Sequence, residues 1–309
     1  MERTLTIGRL FDIRVGVHVS WIFVYLFMTT SIAGGIDDIG RIAAFALAAV
    51  CALGIFLSVV AHEFAHALVA RRFGVRTSAI TLFLFGGVAT LESEPPTPRA
   101  ETMIALAGPL ASALLGGIAF GLFSLDGHFV RGPLAAMIDP LALYLTAANL
   151  GLAVFNMIPA FPMDGGRVLR AALWRMRGSQ TSATASASVV GLVFASMLAT
   201  SGIGLGIWMR TWQAGWYVVL ASFVARQAWM QLREARLMQR LEAVCVVDMM
   251  DAASGEDVVF DGFSLAPTAN ALEALAAFRA SDRTMIPVIG DGRLWGWLGR
   301  DRTLAALGT

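Results

Sequence analysis

Long apolar segments alternate with short polar connections along most of this chain. Six of these segments approach or exceed the roughly 20 residues that an α-helix needs to cross a membrane. They are the stretches 17–34, 43–70, 101–125, 134–158, 186–209 and 213–231. The pattern predicts a polytopic α-helical membrane protein with about six transmembrane helices.

The stretch 77–92, TSAITLFLFGGVATLE, follows a different pattern. Apolar and polar residues alternate there, and β-branched and aromatic residues lie on both sides of Gly86 and Gly87. This is typical of two strands joined by a tight two-residue turn. We therefore predict a membrane-associated β-hairpin in residues 77–92, with its turn at the two glycines.

The C-terminal part of the chain differs from both patterns. From about Val244 onward charged residues become more frequent and the pattern is that of a small α/β unit, and the basic stretch Arg226–Arg240 before it is the predicted linker helix. We predict two domains, a membrane domain in residues 1–235 and a linker with a small cytoplasmic α/β domain in residues 236–309.

Composition agrees with a membrane protein. Of the 309 residues, 57% are hydrophobic and 15% are charged, whereas in soluble chains about half are apolar and about a quarter are charged. The net charge of +1 gives no basis for a nucleic-acid partner, and we predict none. The two cysteines lie far apart in unlike surroundings, which excludes a disulfide framework or a cysteine metal site.

The placement of arginine predicts the orientation of the helices. The polar connections on one side of the predicted membrane carry most of the arginines, whereas the other side carries Arg41, Arg131 and Arg210. Short loops rich in arginine remain in the cytoplasm. We therefore expect the N-terminus and the C-terminus to be cytoplasmic.

Three polar side chains interrupt the second apolar segment, in the sequence HEFAH. His62 and His66 are four residues apart, so they share one helix face and can reach one ion, while Glu63 can contact water on that ion. A buried histidine can instead be a hydrogen-bonded core residue. Ionisable groups are costly in a bilayer, however, and persist where they have partners and a task. The pattern favours zinc, which needs a third protein ligand and an open position for water.

Asp164 is the candidate for the third ligand. It lies in NMIPAFPMDGGRVLR, residues 156–170, where Pro159 and Pro162 interrupt the fourth apolar segment. Irregular backbone at membrane depth is tolerated where it is buried in protein or lines a wet cavity. The alternative is an aspartate at a helix end that pairs with Arg167, and the spacing alone leaves both possibilities open.

Together the two motifs resemble the site-2 protease family of intramembrane zinc metalloproteases. The family pattern is H-E-x-x-H on one helix and N-x-x-P-x-x-P-x-D-G on another, and HEFAH with NMIPAFPMDGG fills every fixed position. The resemblance covers residues 10–235. It implies one zinc ion per chain, held by His62, His66 and Asp164, with Glu63 as the catalytic base.

The same resemblance carries expectations about the substrate. It implies that Asn156 lies near the substrate or the developing oxyanion, and that Gly86 and Gly87 belong to a hairpin that contacts the substrate. The expected substrate is a single-span membrane protein, such as an anti-sigma factor or a sigma-factor precursor, in a bacterial inner membrane. A strand edge of the hairpin could pair with an unwound substrate, or the hairpin could simply plug the cavity.

The C-terminal residues 246–250 and 283–307 resemble the opening and the closing part of a cystathionine-β-synthase (CBS) repeat. About 65 residues make a marginal core alone, and such repeats work in pairs, so we expect a homodimer that pairs two chains. The Thr/Ser-x-x-Asp of nucleotide-binding repeats is replaced by GRDR at residues 299–302, which argues against nucleotide binding.

Two other functions remain open from the sequence. A CBS-regulated membrane ion transporter would use the buried histidines and aspartate as an ion pathway, but it has no need of a glutamate directly beside the first histidine. An inactive relative that binds substrates without cutting them is disfavoured because no motif position is missing.

Overall fold

The structure is a computed structural model that describes residues 4–36, 39–83, 86–129, 135–210, 214–252, 263–281, 283–291 and 293–308. In chain order the helices are α1 (Ser20–Ala33), α2 (Arg41–Arg72), α3 (Pro98–Phe129), α4 (Ala135–Asn156), α5 (Asp164–Arg177), α6 (Gln180–Met209), α7 (Gly215–Ala243), α8 (Val246–Met249), α9 (Ala271–Ala280) and α10 (Arg300–Gly308). The strands are β1 (Thr4–Leu10), β2 (Ile13–His18), β3 (Thr77–Phe83), β4 (Gly86–Leu91), β5 (Asp251–Ala252), β6 (Met285–Gly290) and β7 (Arg293–Gly299). The chain divides into two compact units, Met1–Trp229 and Met230–Thr309.

Four helices in the described part of the chain are long and apolar enough to cross a membrane. They are Arg41–Arg72, Pro98–Ser124, Ile138–Asn156 and Gln180–Met209. The protein is therefore an integral membrane protein, and the six-helix prediction is confirmed for four helices. The helix α1 has only 14 residues, about 21 Å at 1.5 Å per residue and shorter than the hydrocarbon layer. The helix α7 carries charged side chains along its second half, which lowers its hydropathy.

Two N-terminal strands, absent from the sequence prediction, extend the hairpin into a four-stranded sheet of order β1-β2-β3-β4. Strands β1 and β2 are joined at Phe11 and Asp12, whose φ angles of 53° and 66° suit a type I′ turn. Strand β2 is parallel to β3, and β3 is antiparallel to β4. Within this sheet β3 is therefore an interior strand, and β4 lies at an edge.

The sheet packs on α2 beside the HEFAH segment. Ile13 of β2 and Ile80 of β3 are buried in one cluster with Phe64 and Ala67 of α2. Because Phe64 lies between the two histidines and Ala67 follows the second one, apolar packing on this helix places the sheet next to the candidate site.

The predicted hairpin is present, but its glycines do not form the turn. Phe83 pairs with Gly86, so the strands are connected at residues 84–85, which lie outside the described residues. Gly86 and Gly87 instead begin β4. A Cβ atom at Gly87 would lie 2.4 Å from Glu63 Cγ. The placement of the turn was wrong because a close approach to Glu63 requires the glycine at this position.

The break predicted around the two prolines is present between α4 and α5. A turn of irregular backbone follows Asn156, and α5 begins at Asp164. A Cβ atom at Gly165 would lie 2.4 Å from the carbonyl oxygens of Met157 and Ile158. The glycine therefore lets the turn pack directly on the start of α5, which sets the position of the aspartate.

The C-terminal unit has its own small core. Its sheet is antiparallel with the order β5-β7-β6. One face packs on α9 through Ala274 and Phe278, while Ile286, Val288 and Leu298 are fully buried. This is a small α/β unit, as the residue pattern of the C-terminal part predicts.

Candidate metal centre and its cavity

Three side chains from two distant parts of the sequence converge at one point. His62 Nε2 and His66 Nε2 lie 3.2 Å and 3.1 Å from Asp164 Oδ2, and the two nitrogens are 3.1 Å apart. The exposed fractions of these three residues are 4%, 6% and 7%, so the site is almost free of solvent. The helices α2 and α5 thus bring together all three predicted metal ligands.

Hydrogen bonds on the far side of each ring orient the two imidazoles. His66 Nδ1 donates to the carbonyl oxygen of Ile104 at 2.7 Å, and His62 Nδ1 lies 2.9 Å from Ser112 Oγ. A carbonyl oxygen only accepts, so the proton of the neutral His66 ring is on Nδ1 and its Nε2 presents a lone pair. Outer hydrogen bonds of this kind fix the orientation and tautomer of histidine ligands in metal sites.

The donor set fits a zinc ion. Nitrogen lone pairs and a carboxylate oxygen meet in a buried site, and this arrangement is stable when a metal ion or a proton lies between them. Tetrahedral zinc with bonds of about 2.0–2.1 Å separates its ligand atoms by about 3.3 Å, close to the spacing found here. Among the described residues, this is the one group of three histidine, cysteine or acidic side chains placed to hold a metal.

The helix α3 leaves room for the ion at Gly108. A Cβ atom there would lie 2.3 Å from His66 Nε2 and 2.5 Å from His62 Nε2. Any side chain at this position would therefore occupy the space that the ion needs. The pair Gly108-Pro109 in the interior of an apolar helix was the available sequence signal, because both residue types are unfavourable there.

Glu63 opens onto a cavity beside the metal ligands. The cavity has a volume of about 450 Å³ and is lined by His62, His66 and Asp164 as well as Glu63. Within the described ranges no hydrogen-bond partner is found for the Glu63 carboxylate, which leaves it available to water.

The predicted substrate-contacting residues line the same cavity. They are Asn156, Gly86 and Gly87. The cavity wall also includes Arg167, the alternative partner of Asp164 in the sequence analysis, and Gln227, which the sequence motifs do not single out. Arg167 makes no ion pair with Asp164 in the described part of the chain, where the carboxylate faces the two histidines instead. The geometry thus favours the ligand interpretation of Asp164 over the helix-end pair.

Comparisons with known proteins agree with this geometry. The sequence model of Peptidase family M50 matches residues 50–132 and 128–200. The matched residues 50–200 are called the M50 region. The chain is 36% identical over 235 residues to the putative zinc metalloprotease Rip3 of Mycobacterium tuberculosis. The aligned residues cover 72% of this chain and 58% of that protein.

A second relative of the M50 region has a similar match. The chain is 34% identical over 253 residues to the putative zinc metalloprotease sll0528 of Synechocystis sp.. The aligned residues cover 80% of this chain and 65% of that protein. The chain thus spans less than two thirds of the length of these two relatives. The solved structure of the site-2 protease from Methanocaldococcus jannaschii superimposes with a TM-score of 0.50 at 24% identity, covering 84% of this chain and 100% of that chain, so the fold is shared.

A buried ion pair joins α3 and α5, the two helices beside the metal ligands. Glu101 of α3 is fully buried, and Arg170 of α5 donates from Nε to Glu101 Oε1 at 2.6 Å. The guanidinium group of Arg170 also lies 5.7 Å from the ring centroid of Phe161. Because α5 begins at Asp164 while α3 contacts both histidines, this pair helps to align the third ligand with the first two.

Replacing Gly108 with alanine is expected to weaken zinc binding to the M50 region by more than about tenfold, because the added methyl group enters the space of the ion. Zinc per chain, measured by elemental mass spectrometry on the full-length protein in detergent, checks this. The matched control is Gly117→Ala on the same helix, where a Cβ atom meets nothing within 4 Å. A Gly108→Ala protein with unchanged zinc affinity would contradict the location of the ion.

Proposed function

We propose that this chain is an intramembrane zinc metalloprotease that hydrolyses peptide bonds within or near the transmembrane segments of membrane-tethered proteins. The observation that carries the proposal is the convergence of His62, His66 and Asp164 beside a cavity that also contains Glu63. His66 lies six residues before Arg72, the last residue of α2, about 9 Å from the end of the helix at 1.5 Å per residue. The reaction would therefore take place below the membrane surface.

The chemistry needs a proton acceptor beside the metal. Bound zinc supplies Lewis acidity, which polarises a peptide carbonyl and makes a water molecule acidic near neutral pH. Glu63 accepts the proton of the attacking water and then donates it to the amine that leaves. The peptide bond is hydrolysed without a covalent bond between substrate and enzyme.

Asn156 is the proposed donor to the substrate or to the developing oxyanion. Its Nδ2 atom donates to the carbonyl oxygen of Leu152 at 3.0 Å. A side-chain amide carries two N–H groups, so the second one is available to a substrate in the cavity. A positioned donor of this kind stabilises the transition state more than the ground state.

The edge strand β4 is the proposed docking site for the substrate backbone. A transmembrane helix hides its amides, so a single-span substrate must unwind locally before it is cut. The unwound stretch could add to the free edge of β4 by β-augmentation. The cavity wall includes Gly86, Gly87, Ala89 and Leu91 of this strand, so an added strand would run past Glu63. An anti-sigma factor or a sigma-factor precursor is the proposed class of substrate.

The proposed membrane arrangement has six segments in a bacterial inner membrane with both termini in the cytoplasm. The short apolar helix α1 and the first half of α7 are the two segments added to the four helices described above. The density of arginine in the connections on one side supports this orientation. The surrounding lipid bilayer is thus part of the working environment of the protein.

The C-terminal unit is proposed to be a single CBS-like repeat that pairs with a second chain in a homodimer. Residues 283–307, which carry the resemblance, form β6, β7 and α10 apart from residue 292, which lies outside the described residues. We propose no nucleotide ligand, because the nucleotide motif is replaced at residues 299–302. A monomer mass in detergent that is independent of protein concentration would contradict the dimer.

Glu63→Gln is expected to keep zinc and to lose cleavage of a membrane-tethered test peptide, because the amide retains the size of the side chain but cannot accept the proton. The rate should fall by at least about 100-fold. Zinc content and cleavage are measured on the same full-length preparation, with Glu234→Gln on the exposed face of α7 as control. If the protein were an ion transporter, the wild type and Glu63→Gln would both retain the metal and neither would cleave the peptide. Cleavage by Glu63→Gln at the wild-type rate would rule out Glu63 as the base.

Proline substitutions test the docking of substrate on β4. Successive N–H groups of a strand point to opposite sides, so of Ala89→Pro and Thr90→Pro one removes an outward donor and the other removes a bond to β3. The outward variant is expected to keep zinc and its unfolding temperature, and to cleave about tenfold more slowly. The control pair is Leu5→Pro and Thr6→Pro on β1, where the pairing with β2 is regular, at the opposite edge of the sheet. Wild-type cleavage by both β4 variants would contradict the docking.

A further inference from the structure

A second cavity lies at the end of α2, away from the metal centre. Its volume is about 760 Å³, and it is bounded by the β1–β2 turn, the last turns of α2 and the start of β3. We name it the arginine pocket after Arg9, Arg14, Arg71 and Arg76, which line it. Because α2 is a membrane-spanning helix that ends at Arg72, the pocket lies at a membrane surface.

The charges in the arginine pocket are unbalanced. The four arginines face two acidic side chains, Asp12 and Glu92. In the described part of the chain none of these six side chains forms an ion pair. All four arginines are exposed, so water and salt screen their mutual repulsion. A shared anion with several oxygen atoms could accept charge-assisted hydrogen bonds from several of these guanidinium groups at once.

Thr77 gives a second and independent indication of a ligand. Its Oγ1 atom is buried, and it has no hydrogen-bond partner among the described residues. Thr77 lines the arginine pocket at the start of β3. A buried hydroxyl without a partner is destabilising, and rotation of the Thr77 side chain about χ1 would turn it toward an anionic oxygen in the pocket.

The remaining wall of the pocket is apolar. It includes Phe11, Ile13 and Leu68. Phe11 is 56% exposed, and on the adjoining strand Leu5 and Ile7 are 64% and 65% exposed. Exposed apolar side chains next to arginines at the end of a spanning helix are suited to the boundary between headgroups and acyl chains. The ligand therefore has an anionic group and an apolar part.

We propose that the arginine pocket binds the phosphate-bearing headgroup of an anionic phospholipid. The cytoplasmic leaflet carries such lipids, and the volume of the pocket is within the usual range for small-molecule sites. A free phosphate ion has the same anionic chemistry but would leave the apolar wall unused. This site rests on the proposed orientation of the helices and not on the proposed protease activity.

Lipid binding to the full-length protein in detergent tests the proposal. The probes are phosphatidylglycerol, phosphatidylcholine with the same acyl chains, and inorganic phosphate, with affinities measured by native mass spectrometry. The wild type should prefer phosphatidylglycerol to phosphatidylcholine by about tenfold. The variant Arg71→Gln/Arg76→Gln should lose about tenfold in its affinity for phosphatidylglycerol, because two charge-assisted contacts are removed.

The matched control is Arg72→Gln/Arg99→Gln, which removes the same charge from exposed positions outside the pocket. This variant should bind phosphatidylglycerol within about twofold of the wild type. An equal loss in the two double variants would overturn the site, because it would show general attraction to charge. Equal affinity for the two lipids, or displacement of phosphatidylglycerol by millimolar inorganic phosphate, would overturn the lipid as ligand.

Thr77→Val separates a role in binding from a role in folding. Without lipid, the variant should unfold at the wild-type temperature or above it, because a buried hydroxyl without a partner has been removed. Its affinity for phosphatidylglycerol should still fall by about tenfold, because a hydrogen bond to the phosphate is lost. Unchanged affinity would overturn the contact between Thr77 and the headgroup.

Discussion

Three electron-rich atoms meet in a nearly dry site inside a membrane protein, and this convergence is the constraint on which the rest of the structure depends. Two imidazole nitrogens and one carboxylate oxygen lie 3.1–3.2 Å apart. Without a cation they would repel one another strongly in an environment of low dielectric constant. Bound metal would therefore complete the site and link α2 to α5, both of which pack on α3.

The helix α3 acts as the template for this convergence, although it supplies no metal ligand. Glu101, Ile104, Gly108 and Ser112 follow one another at intervals of three or four residues, so they lie on one helix face. On that face Glu101 pairs with Arg170, and the carbonyl oxygen of Ile104 accepts a hydrogen bond from His66. Gly108 leaves space for the ion, and Ser112 contacts His62. A single helix thus sets the orientation of ligands that come from two other helices.

The sequence predicted those site residues whose role follows from their own segment of the chain, and it did not predict those whose role depends on how distant segments pack. His62 and His66 are four residues apart, and Asp164 follows a proline-broken helix end, so helix geometry alone placed them as candidates. Gly108 and Ser112 could not be assigned, because their roles depend on which face of α3 meets α2. The strand β1 was missed because its residues are exposed on both faces, so no buried apolar face marks it. Gly86 and Gly87 were assigned to a turn because glycine is favoured both in a tight turn and where the backbone lies close to another side chain, here Glu63.

X-ray absorption at the zinc edge of the purified full-length protein tests the central claim most directly. The account predicts one zinc ion per chain, bound by two imidazole nitrogens and a carboxylate oxygen at about 2.0–2.2 Å. His62→Ala should lose one of the two imidazole multiple-scattering contributions, and Asp164→Ala should hold less zinc per chain. Protein that cleaves a membrane-tethered peptide without any bound metal, or a zinc ion whose spectrum contains no imidazole, would contradict it.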